Sequence, residues 1–165
     1  KDASFTEIIG ADVSASALAV ATKRLQLHRM PDAQRARLQL IQSSATYRDA
    51  RLAGMDAIVL MEVIEHLDPD RLPDLEHSVF AEARPQHVVV TTPNADYNVR
   101  YPGLAPGAMR HPDHRFEWNR AEFAAWAARV CADHAYAVTF RPVGDDDPEV
   151  GSPTQLAIFT RTERS

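Results

Sequence analysis

Glu62-Val63-Ile64-Glu65-His66 places two carboxylates and an imidazole within five residues. On a helix, i,i+3 and i,i+4 spacings put all three on one face. Converging there, they can ligate a divalent cation. Oxygen-rich ligation suits Mg²⁺ or Mn²⁺, and the histidine nitrogen moves the balance toward Mn²⁺. The zinc-hydrolase order His-Glu-x-x-His is absent, which argues against a metallohydrolase. A second concentration is Arg110-His111-Pro112-Asp113-His114-Arg115-Phe116-Glu117-Trp118, with two residues each of histidine, acid, arginine and aromatic. Packing on a core accounts for Phe116 and Trp118. It does not account for the histidines, around which no apolar period runs.

These residues need elements to position them. Glu7 to Ala11 is a short apolar strand that stops at Asp12, and Ser14 can cap a helix over Ala15 to Leu27. Arg37 to Gln42 is a second strand. Met55 to Met61 is a continuous apolar run, as expected of a buried central strand in a parallel sheet. Glu62 to Leu67 is a polar, helix-like patch. A helix over Leu72 to Ala83 leads to a strand over His87 to Thr92. Residues 93 to 117 lack periodicity, and so long a loop in a compact domain is usually functional. Asn119 caps a helix through about Asp133, with Phe123, Trp126, Ala127 and Val130 on one face. Strands at Tyr136 to Arg141 and Gln155 to Thr160 pair as an antiparallel edge, and Asp145-Asp146-Asp147 between them reads as a solvated turn.

Alternating strands and helices predict an α/β domain with a mostly parallel sheet and helices on both faces. Ligands of such sheets bind beyond the carboxyl ends of the strands. Asp12, Ser43-Ser44, Glu62 and Pro93-Asn94 all fall there. Asp12, ending its strand, can accept hydrogen bonds from both hydroxyls of a ribose, or serve as a turn or cap aspartate.

Composition excludes several classes. The 165 residues suit one domain, and 45% hydrophobic with 25% charged residues is ordinary for a globular protein. The single cysteine, Cys131, rules out an internal disulfide and favours a reducing, cytoplasmic setting. No apolar run approaches a membrane span. The net charge of −5 disfavours tight non-specific nucleic-acid binding, but not an enzyme holding a few terminal nucleotides.

Glu-Val-Ile-Glu-His-Leu at 62–67, Thr-Pro-Asn-x-x-Tyr-Asn at 92–98 and His-x-Asp-His-x-Phe-Glu-Trp at 111–118 together resemble the small-RNA 3′-terminal 2′-O-methyltransferase family. That family includes plant and animal enzymes and a bacterial RNA-repair type, which the chain resembles most. The stretch Glu7 to Ser14 resembles the second strand of an S-adenosylmethionine-dependent methyltransferase. The resemblance implies a Rossmann-like class I methyltransferase fold over 1–165, with metal-dependent transfer of a methyl group from S-adenosylmethionine to the 2′-OH of an RNA 3′ end. It implies metal ligands Glu62, Glu65, His66 and His114, with His111 the alternative fourth, and His66 or His114 as proton acceptor. Asp12, Val13, Ser43, Ser44, Ala45 and Met61 would line the cofactor. Asn94, Tyr97, Arg110 and Arg115 would meet RNA. Implied partners are tRNA fragments or small RNA, and a polynucleotide kinase–phosphatase–ligase.

Two features depart from the pattern. No glycine-rich cofactor loop occurs in the first sixty residues, so the expectation is an amino-terminally truncated domain lacking its first strand. Asp96 stands where the family pattern has Glu. The rival readings are an O-methyltransferase of a small metabolite, which leaves residues 110–118 without a role, and a non-catalytic module that binds RNA or a partner protein.

Overall fold

The computed structural model describes residues 4–162. Strand β1 (Ile8–Asp12) pairs in parallel with β2 (Leu38–Gln42), Asp12 level with Gln42. Helix α1 (Ala15–Arg24) joins them, its first turn closed by Ser14, whose hydroxyl accepts from the Ala17 amide. It ends three residues before the expected Leu27, because Gln26 turns left-handed at φ 52°. The one-turn α2 (Asp32–Arg35) leads into β2.

The larger sheet has the order β3 (Ala57–Met61), β4 (His87–Pro93), β6 (Thr154–Arg161), β5 (Tyr136–Val143). β3 and β4 are parallel, while β4–β6 and β6–β5 are antiparallel. The antiparallel edge is therefore as expected, but the single sheet is not. Among the described residues no strand joins β1–β2 to β3. β3 is accordingly an edge strand rather than a buried central one. Leu60 is buried, whereas Val59 and Met61 are 56% and 68% exposed.

The core sits between the four-stranded sheet and two helical segments. One is α3 (Leu72–Glu76), which continues as a π-helical turn over His77–Ala83. The other is α4 (Arg120–His134), opened by a reciprocal capping box between Asn119 and Glu122. Phe80 packs edge-on against Tyr136 and Phe159, and Trp126 continues this cluster to Phe123. Polar groups that border this aromatic cluster are paired: Trp126 Nε1 donates to Glu76, which also holds Arg129, and the Tyr136 hydroxyl donates to Pro85 O. No helix among the described residues is long and apolar enough to cross a membrane.

Candidate active site

β3 ends abruptly. Glu62 takes a left-handed conformation, φ 52°, with its amide held by the carbonyl and hydroxyl of Thr91. A 3₁₀ turn then covers Ile64–His66. The expected helical face shared by Glu62, Glu65 and His66 is thus not formed, because the backbone reversal at Glu62 breaks the helical phase. A left-handed non-glycine residue costs about 1 kcal/mol or more, and such strain clusters at functional sites.

The turn carries Ile64 into the core and Glu65 with it, so the Glu65 side chain is fully buried. Oε2 accepts from the buried Thr92 hydroxyl at 3.1 Å, while Oε1 has no hydrogen-bond partner among the described residues. Burial pushes the Glu65 carboxyl up to about 7, opposed first by its own backbone amide, with the Glu62 charge adding to the rise and Thr92 and His114 also opposing it. Glu65, His66 and His114 each bring a ligand atom within 4.8 Å of the others. Glu62, although near enough to act on Glu65, is outside that group.

The loop of residues 110–118 delivers His114. Phe116 and Trp118 stack at 4.4 Å, and Trp118 lies 5.7 Å from Trp126, anchoring the loop on the core as expected. The Arg115 amide donates to Glu65 O at 2.7 Å, tying the two segments together at the site. His114 is 9% exposed, and its Nδ1 meets Glu117 Oε1 at 2.5 Å. Its ring stands edge-on to His66 at 4.8 Å. His111 lies 6.1 Å from His66, and its Nδ1 accepts from the Asp113 amide, so it flanks the cluster without joining it.

The expected RNA contacts divide. Asn94 is buried, its Nδ2 donating to Val150 O and Ser152 O and its Oδ1 accepting from the Asp96 amide. Arg110 turns inward, donating to Asn98 Oδ1, Pro153 O and Asn94 O beneath the Tyr101 ring. Both side chains have spent their polar groups on the protein. Tyr97 is half-buried against Tyr101, and Arg115 is exposed beside Asp68.

On the other side, the ends of β1 and β2 are level, with the Ser43 amide donating to Asp12 O. Asp12 and Val13 are exposed, and Asp12 Oδ1 accepts from the Ser14 amide at 2.7 Å. The Ser43 hydroxyl donates to Asp49, whose carboxyl is held well below its ordinary value chiefly by Arg51. Ser44 pairs with Thr46, Ala45 packs on the core, and Met61 is exposed. Residues that the sequence reading passed over are Thr92, Asn98 and Glu117. All three stand inside the quoted motifs, Thr92 and Asn98 at the two ends of residues 92–98 and Glu117 three residues after His114.

No family model matches the chain. It is 40% identical over 127 residues to a small RNA 2′-O-methyltransferase of Xenopus tropicalis, a stretch covering 75% of this chain and 34% of that protein. The chain thus spans about a third of the length of the curated relatives it matches. The crystal structure of the methyltransferase domain of a bacterial Hen1 protein, CtHen1, superimposes with a TM-score of 0.87 at 48% identity, covering 97% of this chain and 80% of that one. Two remoter structures share the fold alone. They are the Pnkp1/Rnl/Hen1 RNA repair complex, at TM-score 0.64 and 22% identity, and the S-adenosylmethionine-bound glycopeptide N-methyltransferase MtfA, at 0.65 and 16%. The fold is that of class I methyltransferases.

Proposed function

Because the chain belongs to the small-RNA 2′-O-methyltransferase family, we propose that it transfers a methyl group from S-adenosylmethionine to the 2′-OH of an RNA 3′-terminal nucleotide, with a divalent cation, Mg²⁺ or Mn²⁺, at Glu65, His66 and His114. Glu62, whose charge acts on Glu65, is the proposed fourth ligand. The observation that carries this reading is the buried Glu65 Oε1, which lacks a hydrogen-bond partner among the described residues and lies beside two imidazoles. A buried carboxylate oxygen without a donor is costly, and a cation satisfies it. The donor set, oxygen with imidazole nitrogen, fits Mn²⁺ at least as well as Mg²⁺.

When bound, such a cation supplies Lewis acidity and a template for adjacent ribose hydroxyls. The chain's own residues do the rest. In the reaction a carbon–oxygen bond forms at the 2′-oxygen, the donor's carbon–sulfur bond breaks, and one proton leaves the hydroxyl. His66, exposed to solvent, is the proposed acceptor of that proton in a state in which it does not ligate the cation, while His114, whose Nδ1 Glu117 holds, stays a ligand. Asp12 takes the donor's ribose hydroxyls through the carboxylate oxygen not committed to Ser14, and Val13, Ser43, Ser44, Ala45 and Met61 border the same end of the sheet. Tyr97 and Arg115 face the terminal nucleotide and a phosphate. Fragments of tRNA, or small RNA, are the proposed substrate, and a polynucleotide kinase–phosphatase–ligase the proposed partner, in the cytoplasm.

The test is label transfer from S-adenosylmethionine to short RNAs ending in a free 3′ nucleotide, a 2′-deoxy nucleotide or a 3′-phosphate, with and without chelator. Transfer to the free end alone, abolished by chelator, is expected. Transfer that persists in chelator, or ignores the terminus, overturns the reading.

A further inference from the structure

We infer that Glu117 is a positioning residue of the cation site, fixing His114 in the tautomer and orientation that leave Nε2 open as a ligand; the inference rests on the cation site proposed above. A carboxylate can only accept. Its 2.5 Å contact with His114 therefore puts a hydrogen on Nδ1, and in the neutral ring the lone pair is on Nε2. The Glu117 side chain is 2% exposed, so water does not compete for it.

The surroundings require a carboxylate rather than an amide. Glu117 Oε1 also accepts from the Arg110 amide at 2.7 Å, and Oε2 accepts from Asn98 Nδ2 at 2.6 Å. Three donors thus converge on two oxygens. Asn98 cannot flip to relieve an introduced amide, because its Oδ1 already accepts from Arg110 Nε at 2.6 Å. Arg110 is in turn locked to Pro153 O and Asn94 O. His114 is consequently aimed by a chain of buried bonds reaching the β5–β6 connection, through residues that themselves offer nothing to a substrate.

Two variants separate positioning from mere structural support. E117A removes the acceptor. E117Q/N98D keeps the total charge and rebalances the donors: the new amide turns its NH₂ to the carboxylate at position 98 and its oxygen to His114. The readouts are imidazole ¹⁵N shifts of His114 in cation-free protein, Mn²⁺ affinity by calorimetry, and thermal unfolding. E117A is expected to convert the Nδ1–H form of His114 into a mixture and to weaken Mn²⁺ binding by about 10- to 100-fold. The double variant is expected to keep the fold and the tautomer, with a lowered melting temperature because Ala108 O loses its Asn98 Nδ2 donor, and to bind Mn²⁺ about tenfold more weakly, because a neutral amide polarises the imidazole less. A folded E117A with unchanged tautomer and affinity overturns the inference. If E117A does not fold, the wild-type ¹⁵N shifts decide, and a His114 that is not in the Nδ1–H form overturns it. Wild-type protein that binds no Mn²⁺ overturns the cation site itself, while the ¹⁵N shifts still report whether Glu117 sets His114.

Discussion

At the carboxyl ends of β3 and β4, Glu65, Thr92 and His114 are buried; Glu65 is bonded across the fold to Thr92 and, through its carbonyl, to the Arg115 amide, while His114 is held by Glu117 three residues on in the same loop. At the ends of β1 and β2 the pattern is different. Asp12 and Val13 are exposed, and the side-chain bonds of Asp12, Ser43 and Ser44 run to partners two to six residues away. The first rim is held by tertiary structure and presents one unsatisfied oxygen. In the second those side chains are held by near neighbours, with the Ser43 amide and Gln42 Nε2 bridging the two strands to Asp12 O and Val13 O, and it presents an exposed carboxylate at Asp12. Ligand atoms for a cation must be fixed to within a fraction of an ångström, which only the first arrangement provides. A ribose can be met by rotating side chains, which suits the second.

The sharpest way to break that comparison is Glu65→Ala. Loss of this ligand should reduce Mn²⁺ affinity by more than about 1000-fold, roughly 4 kcal/mol, exceeding what outer partners such as Glu117 supply. The same change should leave the protein folded at pH 7, since it removes a buried carboxyl disfavoured there. Calorimetry with thermal unfolding checks both. Retained Mn²⁺ affinity would mean that the buried oxygen is not the cation's.

A somewhat smaller effect is the pH dependence of cation-free protein. Burial raises the folded-state pKa of Glu65 from the ordinary 4.5 to about 7. The folded chain therefore binds the proton more tightly than the unfolded chain. Stability from this group is fully present below about pH 4.5 and is lost as pH rises through about 7. The loss is about 3 kcal/mol. Unfolding in chelator at pH 5 and pH 8 measures it, with Glu65→Gln as the reference in which this slope disappears. Added Mn²⁺ should flatten the wild-type slope, because the ionised form gains its partner.

How much of this was legible in the sequence depended on whether the physics was local. Apolar runs and caps placed the strands and α4, because Ser14 and Asn119 act within one turn. The pairing of β5 with β6 followed for the same reason. The burial of β3 was misread, since Val59 and Met61 are apolar residues on an uncovered edge and composition cannot reveal what lies beside a strand. The cluster was found through residue types, but its geometry was not. A helical reading of 62–66 could not foresee that Glu62 turns left-handed. Arg110 looked like a phosphate ligand because an arginine in a polar loop usually faces water. Its inward turn depends on acceptors at Asn94, Asn98 and Pro153, brought together only by the fold.

The smallest expected effect tests whether the two rims are independent. Gly10 sits in β1 opposite Leu40, and a Cβ built there comes within 2.7 Å of Leu40 Cδ2. Its backbone φ is not positive, so an alanine meets no conformational penalty, and the clash is with the far end of a half-buried side chain. Leu40 can yield by changing rotamer at about 0.5–1.5 kcal/mol, offset in part by the lower entropy of the unfolded alanine chain. Gly10→Ala should therefore cost less than about 1 kcal/mol and shift the neighbouring Asp12 only slightly. Mn²⁺ affinity should stay within twofold of wild type, because no hydrogen bond joins β1–β2 to β3 among the described residues. A larger fall in Mn²⁺ affinity on this substitution would show that the locally held rim supports the buried one, and the contrast between them would then describe one continuous site.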